Sequence, residues 1–244
     1  MESAFVAESR VPRGGAELSV TLIFARRVNR IEEETGVALS RILAAEFYAR
    51  DTVKVAPDLL NKWVVRAVGH ERLIGRIVEV EAYRGKDDPA SHAFRGLTPR
   101  NAPMYGQPGH AYIYFTYGNH HCLNITTQEM GKPGAVLLRA IQPVEGLRTM
   151  RLFRPNVTDT ELTNGPGKLT KAMSIDKSLN EQDMTVTGPL FVTEPEAPQT
   201  DYEIWQSTRI GIRVGLDKRW RFYLKGNLYV SKRVGLRGVR FRST

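Results

Sequence analysis

Between Leu73 and Tyr83 an apolar run carries Glu79, Glu81 and Tyr83 at alternate positions. Alternate side chains of a strand share a face. One face therefore holds two carboxylates and ends in an aromatic just before a loop. Ile74, Val78, Val80 and Ala82 fall on the other, which is apolar apart from Arg76. A carboxylate beside an aromatic at a strand's exit can wall a pocket, and burial pushes a carboxyl toward the pKa range of a general base. Seen alone, the plainer reading of Glu81 is a solvent-facing residue on a half-buried strand. Arg139 sits inside the run Ala135–Ile141, where an arginine is costly to bury unpaired. Either it pairs with a carboxylate, for which Glu81 is the natural companion, or it points out of an edge strand.

The next chemical feature is a hairpin. Residues 110–117 and 120–127 are aromatic and β-branched, and Gly118-Asn119 between them predicts a two-residue turn. Tyr112, Tyr114 and Thr116 share one face; Ile113, Phe115 and Tyr117 share the other. Tyr117 abuts the turn. An aromatic at a free tip makes sense as a wedge entering a base stack, or the tip packs on another part of the protein.

Other chemistries fit poorly. His110, His120, His121 and Cys122 invite a metal, but His120 and His121 point to opposite faces of a strand and the chain has a single cysteine. No zinc deaminase signature, Walker loop or Gly-x-Gly-x-x-Gly is present. Neither a metal nor a cofactor is expected. Asn164-Gly-Pro-Gly-Lys168 could open a helix whose free N–H groups meet a phosphate, and reads equally as a turn and cap.

The elements that would position these residues are many short strands with helices grouped between them, which predicts α+β rather than a regular βαβ series. Helices are expected over Leu39–Ala49, Ala56–Leu60, Glu145–Phe153 and Lys168–Met173. Strands are expected over Trp63–Val68, Leu73–Tyr83, Gly134–Ile141, Leu190–Thr193, Arg209–Val214 and Arg221–Val230. Residues 181–203 carry six acids and no base, a solvated connection. The tail after Gly235 reads as loose.

The chain has 244 residues, 41% hydrophobic and 25% charged, ordinary globular values that exclude coiled coil, collagen and wholesale disorder. No apolar run reaches the roughly 18–20 residues of a membrane span, and no leader with a cleavage site is evident. One cysteine fits a reducing compartment, so a bacterial cytoplasm (nucleoid-associated), or a nucleus in a eukaryote, is expected. The net charge is +9, and Arg209–Arg242 carries all of the excess, with 11 basic residues against Asp217. Trp220, Phe222, Tyr223, Tyr229 and Phe241 interleave with them. A basic stripe with aromatics attracts a phosphate backbone; anionic lipid or an acidic protein is the other reading.

Taken together and in order, Gly75–Tyr83, Ala90-Ser-His92, Thr98-Pro-Arg-Asn101, Tyr112–Gly118, Leu123-Asn124, Leu137–Ala140, Gly165–Leu169 and Arg221–Tyr223 resemble the alkyladenine (3-methyladenine, methylpurine) DNA glycosylase family. The resemblance spans about residues 39–232. It implies a monofunctional hydrolase of the N-glycosidic bond of damaged purines in duplex DNA, with no metal, no cofactor and no membrane, acting as a monomer. Residues 1–37 would be an N-terminal extension, 38–232 the glycosylase domain and 233–244 a basic tail. The expected architecture is a single α+β domain, a curved and mainly antiparallel sheet with surrounding helices and a protruding β-hairpin.

By the same resemblance Glu81 is the base that deprotonates water and Arg139 its neighbouring arginine. Tyr83, His92 and Tyr114 enclose the everted base, with Leu137 in the same pocket. Asn124 excludes the 2-amino group of normal guanine, and Tyr117 fills the hole left in the duplex. Lys168, Arg221 and Lys225 would touch the DNA backbone. Asn119 and His120 depart from the bulkier residues of animal relatives. Two rivals stay open: a helix–hairpin–helix lyase using Lys168 as nucleophile, and a non-catalytic module that reads distorted duplex or RNA.

Overall fold

A computed structural model describes residues 41–116, 118–197, 200–231 and 238–242, all within one compact unit, 38–244. The N-terminal extension, Tyr117 and residues 232–237 lie outside the described residues. The axis of the fold is β2, Glu71–Tyr83, the longest strand. On one edge it pairs along most of its length with β5, Ala135–Glu145. Its other edge is shared: the first half pairs with β1, Trp63–Val68, and Glu79–Glu81 pairs with β8, Arg221–Leu224. Beyond β5 lies the hairpin of β3, Ala111–Thr116, and β4, His120–Thr126. Beyond β8 come β7, Ile204–Ser207, and β9, Val239–Arg240, while β6, Leu190–Thr193, pairs with β1. All these pairings are antiparallel, so the fold is α+β around a single sheet.

Three register shifts interrupt the pairing of β2 with β5, one between Ile74 and Gly75 and two nearer the C-terminal end of β2. Ile77 pairs with Ile141 and Glu79 with Ala140, which leaves Val78 extra on β2; Val80 then pairs with Leu138, which leaves Arg139 extra on β5. A bulge adds one residue and re-aims the side chains beside it. Leu73 and Ile77 therefore share the main core with Val78, Val80 and Ala82, whereas Ile74 packs with Val65 and Phe191. The uniform alternation expected from Ile74 to Ala82 breaks here, because one extra residue exchanges the faces.

The other departures have local causes. Ile42 and Leu43 are extended against β6 (Leu43 N–H to Val192 C=O, 3.0 Å), so the first helix is only Ala45–Tyr48. The second starts earlier than expected, Thr52–Leu59, because the Asp51 side chain accepts from Val53 N–H at 2.9 Å and caps it. Leu147–Phe153 and Pro166–Ala172 form as helices within a residue or two of expectation. A short helix, Asp159–Leu162, was not expected, although Thr158 and Glu161 form a capping box in front of it. The expected strand Arg209–Val214 is a loop, turned at Gly211 (φ 80°), and β8 ends at Leu224, two residues before Gly226 (φ 75°). Thr116 pairs with His120, so the hairpin connection is three residues long rather than two, with Gly118 at φ 70°. The tail is not loose throughout: Val239 and Arg240 pair with β7, and the Phe241 ring stands edge-on to Phe222 at 5.2 Å.

Candidate active site

A cavity of about 230 Å³ opens beside the C-terminal end of β2. Three neighbouring strands aim side chains into it: Tyr112, Tyr114 and Thr116 from β3, Cys122 and Asn124 from β4, and Ala135, Leu137 and Arg139 from β5. Tyr83 closes the β2 end. The segment after it adds Ala90, His92, Arg100 and Met104, and Ile210–Ile212 and Pro166 complete the wall. The alternation Tyr112, Tyr114, Thr116 follows from the strand period, with Ile113 on the core side.

The wall is aromatic. The His92 and Tyr114 rings meet edge to face at 4.7 Å, and Tyr112 lies 5.3 Å from Tyr114. His92 Nδ1 hydrogen-bonds the Tyr112 hydroxyl at 2.9 Å. Crowding by protein atoms, and then the Arg100 cation, hold the His92 imidazole below its usual pKa. Burial pushes the phenols up, that of Tyr112 to about 12 and those of Tyr83 and Tyr114 also above the usual tyrosine value, so all three keep their protons at neutral pH. Arg100 stands over the Tyr114 ring at 5.4 Å. Asn124 is buried and fixed, its Nδ2 donating to the Tyr112 carbonyl at 2.9 Å.

Beneath this wall lies a buried ionic layer. Glu81 is fully buried; it does not itself line the cavity, but its three partners do. Its Oε2 accepts from the Tyr83 hydroxyl (2.9 Å) and Arg139 Nη1 (3.3 Å), and its Oε1 accepts from Ile210 N–H (2.6 Å). Donors thus face both oxygens, an arrangement that suits a carboxylate anion. Arg139 reaches a second fully buried carboxylate through Nε, Glu79 Oε1 at 2.9 Å. Burial works against the charge of Arg139, but Glu81 and Glu79 overcome it and hold the guanidinium above its usual pKa. The arginine inside an apolar run is therefore paired rather than turned out of the sheet, and the bulge that leaves it unopposed aims it.

Glu79 is the more enclosed of the two acids. Its Oε1 accepts from Arg139 Nε, Arg221 Nε and Ser231 Oγ, and its Oε2 from Ser231 N–H. Burial opposes its ionisation, yet Arg139, Arg221 and the Ser231 hydrogen bonds together hold it below the usual carboxylate range. Arg221, expected on a DNA backbone, is instead 4% exposed and occupied by Glu79, so it has no surface to offer a phosphate. Arg209 is also turned inward, onto Asp88. Part of the basic stripe is thus internal charge balance, and of its aromatics Phe222 belongs to the core. Lys225 stays at the surface, over Trp205 and 3.2 Å from Glu203. Lys168 does not line the cavity; its Nζ donates to Asn164 Oδ1 at 2.7 Å. Among the described residues no group of three or more His, Cys, Asp or Glu is placed to hold a metal ion.

Residues 46–228 match the family described as methylpurine-DNA glycosylase. The chain belongs to that family. A protein of Carboxydothermus hydrogenoformans, provisionally named a 3-methyladenine DNA glycosylase, is 49% identical over 192 residues, 79% of this chain and 100% of that one. A protein of Methanocella arvoryzae with the same name is 46% identical over 196 residues, 79% and 96% of the two chains. One of Legionella pneumophila is 43% identical over 197 residues, 79% and 99%. In this DNA glycosylase the sequence reading missed Tyr112, Arg100 and the loop Ile210–Ile212 as parts of the wall. Tyr112 was legible, since it shares a strand face with Tyr114. Ile210 was not, because its contribution is a backbone N–H.

Proposed function

We propose that the glycosylase takes an alkylated or deaminated purine (3-methyladenine, 7-methylguanine, hypoxanthine or ethenoadenine) out of duplex DNA into the aromatic cavity. There it hydrolyses the N-glycosidic bond with a water activated by Glu81. The observation that carries this reading is the buried Glu81–Arg139 pair directly beneath a cavity walled by Tyr83, Tyr112, Tyr114 and His92.

A base inside a duplex is out of reach, so the reaction requires eversion, at a cost of a few kcal/mol that is least for damaged or mispaired bases. The cavity is smaller than the roughly 300–1,000 Å³ of typical drug-sized sites, a scale suited to one flat base. Phenol faces attract a purine made cationic by N3 or N7 alkylation. Asn124, whose Nδ2 is held by the Tyr112 carbonyl, is proposed to reject an added 2-amino group by its bulk. Stacking of an aromatic on a base is worth about 1–3 kcal/mol, the contribution Tyr117 would make in the gap left behind.

In the chemical step the C1′–N bond breaks, its electron pair leaves with the base, and the sugar gains oxocarbenium character; an N3- or N7-alkylated purine leaves neutral, whereas hypoxanthine or ethenoadenine must take up a proton to do so. The Glu81 carboxylate would stabilise that charge and take a proton from the water that adds at C1′, leaving an abasic site. General-base assistance of this kind contributes about 10²–10⁴-fold. Arg139 and the Tyr83 hydroxyl orient the carboxylate; Glu79 anchors Arg139. Lys168 and Lys225 are proposed for the DNA backbone.

The test is base release from duplexes carrying each of the four lesions, run with and without borohydride. The expected result is free base, an unbroken abasic strand and no trapped adduct. A borohydride-trapped protein–DNA adduct would replace hydrolysis by a lysine-mediated lyase step. Absence of release from all four duplexes would overturn the assignment.

A further inference from the structure

Arg209 and Asp88 form a second ion pair beside the site, with both side chains fully buried. The pairing is bidentate: Nη1 to Oδ2 and Nη2 to Oδ1, each 2.6 Å. Arg209 Nη1 also donates to the Ala82 carbonyl at 2.9 Å, between Glu81 and Tyr83. The guanidinium lies over the Tyr83 ring at 4.6 Å and near the Trp220 ring at 5.2 Å. Asp88 in turn accepts from Arg84 N–H (3.0 Å) and Ala90 N–H (3.2 Å), which folds the loop that carries Ala90 and His92. The residue after Arg209 is Ile210, whose N–H donates to Glu81.

We infer that Arg209 and Asp88 are positioning residues for catalysis, a latch that holds the Ile210 N–H and the Tyr83 ring in register with the Glu81 carboxylate. Three segments meet at the pair: the end of β2, the loop 84–92, and the loop 209–212 that lines the cavity. A buried ion pair is weak evidence for stability, because desolvation offsets much of its attraction. Here the guanidinium contacts Ala82 and Tyr83, the two residues that follow Glu81, together with Asp88 on the loop 84–92 and Trp220. The fork of an arginine is needed: a lysine carries the charge but cannot bond both carboxylate oxygens in parallel and still lie flat on a ring. Loosening the latch lets the Ile210 donor drift from Oε1, and misplaced donors cost rate more than binding.

The inference rests on the Glu81 reading and is tested with Arg209→Lys and the nearly isosteric Asp88→Asn in the full chain. Single-turnover excision is measured against enzyme concentration on a hypoxanthine duplex. The expected result is a loss of about ten- to hundredfold in the saturating rate, with the half-saturating concentration within about threefold of the parent and a cooperative melt retained. A saturating rate within about threefold of the parent, or a loss carried mainly by half-saturation, would overturn it. Loss of the cooperative melt in both variants would make the pair a stability device and overturn it too. A fully active Glu81→Gln would remove the reading of Glu81 itself; an inactive Glu81→Gln beside fully active latch variants would remove only the latch.

Discussion

Two stations along β2 differ in how completely their carboxylates are used. Glu79 and Glu81 lie two residues apart on one face, both fully buried, both bonded to Arg139. At Glu79 four donors converge, two of them guanidinium nitrogens, and of the residues that supply them only Arg139 lines the cavity. At Glu81 there are three donors, one of them charged, and all three belong to residues that wall the cavity. The first environment spends a carboxylate on holding two arginines; the second holds one by three residues that wall the cavity. Strand period alone treats the two as equivalent, and the distinction comes from bulges and loops.

The largest expected effect that could break this contrast is on stability. Glu79→Gln leaves Arg139 and Arg221 with a buried neutral partner, and a broken buried pair costs about 3–5 kcal/mol. Denaturant unfolding at neutral pH measures it, and a loss under about 1 kcal/mol would deny Glu79 its anchoring role. The pH dependence sharpens the same point. The folded pKa of Glu79 is lowered, so its contribution is fully present above the unfolded carboxyl value and is lost as pH falls through the folded one. The parent should therefore lose stability below about pH 4.5 more steeply than Glu79→Gln. Parallel curves would contradict the lowered value.

A smaller effect is expected at Tyr83. Tyr83→Phe deletes the hydroxyl donor to Glu81 while keeping the ring under Arg209. A hydrogen bond to a charged group is worth about 1.5–3 kcal/mol, so the single-turnover rate should fall by at least tenfold with duplex affinity unchanged. An unchanged rate would show that Glu81 does not need this donor. The smallest effect belongs to the surface. Lys225→Ala should change stability by no more than about 1 kcal/mol, since its pair with Glu203 is exposed. It should also reduce the slope of log affinity against log salt by about one; an unaltered slope would take Lys225 off the DNA backbone.

Much of this was legible in the residues. Alternation in the run to Tyr83 and in the aromatic hairpin singled out Glu81, Tyr83 and Tyr114, and the lone arginine of β5 singled out Arg139, whereas His92, Asn124 and Leu137 came from the family resemblance; all seven converge on one cavity or the layer beneath it. What escaped depends on long-range packing. Residues 209–214 alternate like a strand, yet Asp88, 121 residues away in the chain, draws Arg209 inward and leaves a loop. Arg221 resembles a phosphate contact until Glu79 is placed 2.7 Å from it. The bulge at Arg139 has no local signature, because an extra residue is defined only by the partner strand.

The central claim is that Glu81, and not its neighbour, acts on the water. Single-turnover base release from a hypoxanthine duplex, corrected for folded fraction, should be compared for Glu81→Gln and Glu79→Gln. The account predicts a loss of about 10²-fold or more for Glu81→Gln with binding to the damaged duplex retained, and a clearly smaller loss for folded Glu79→Gln. Full residual activity in Glu81→Gln, or equal losses in the two folded variants, would contradict it.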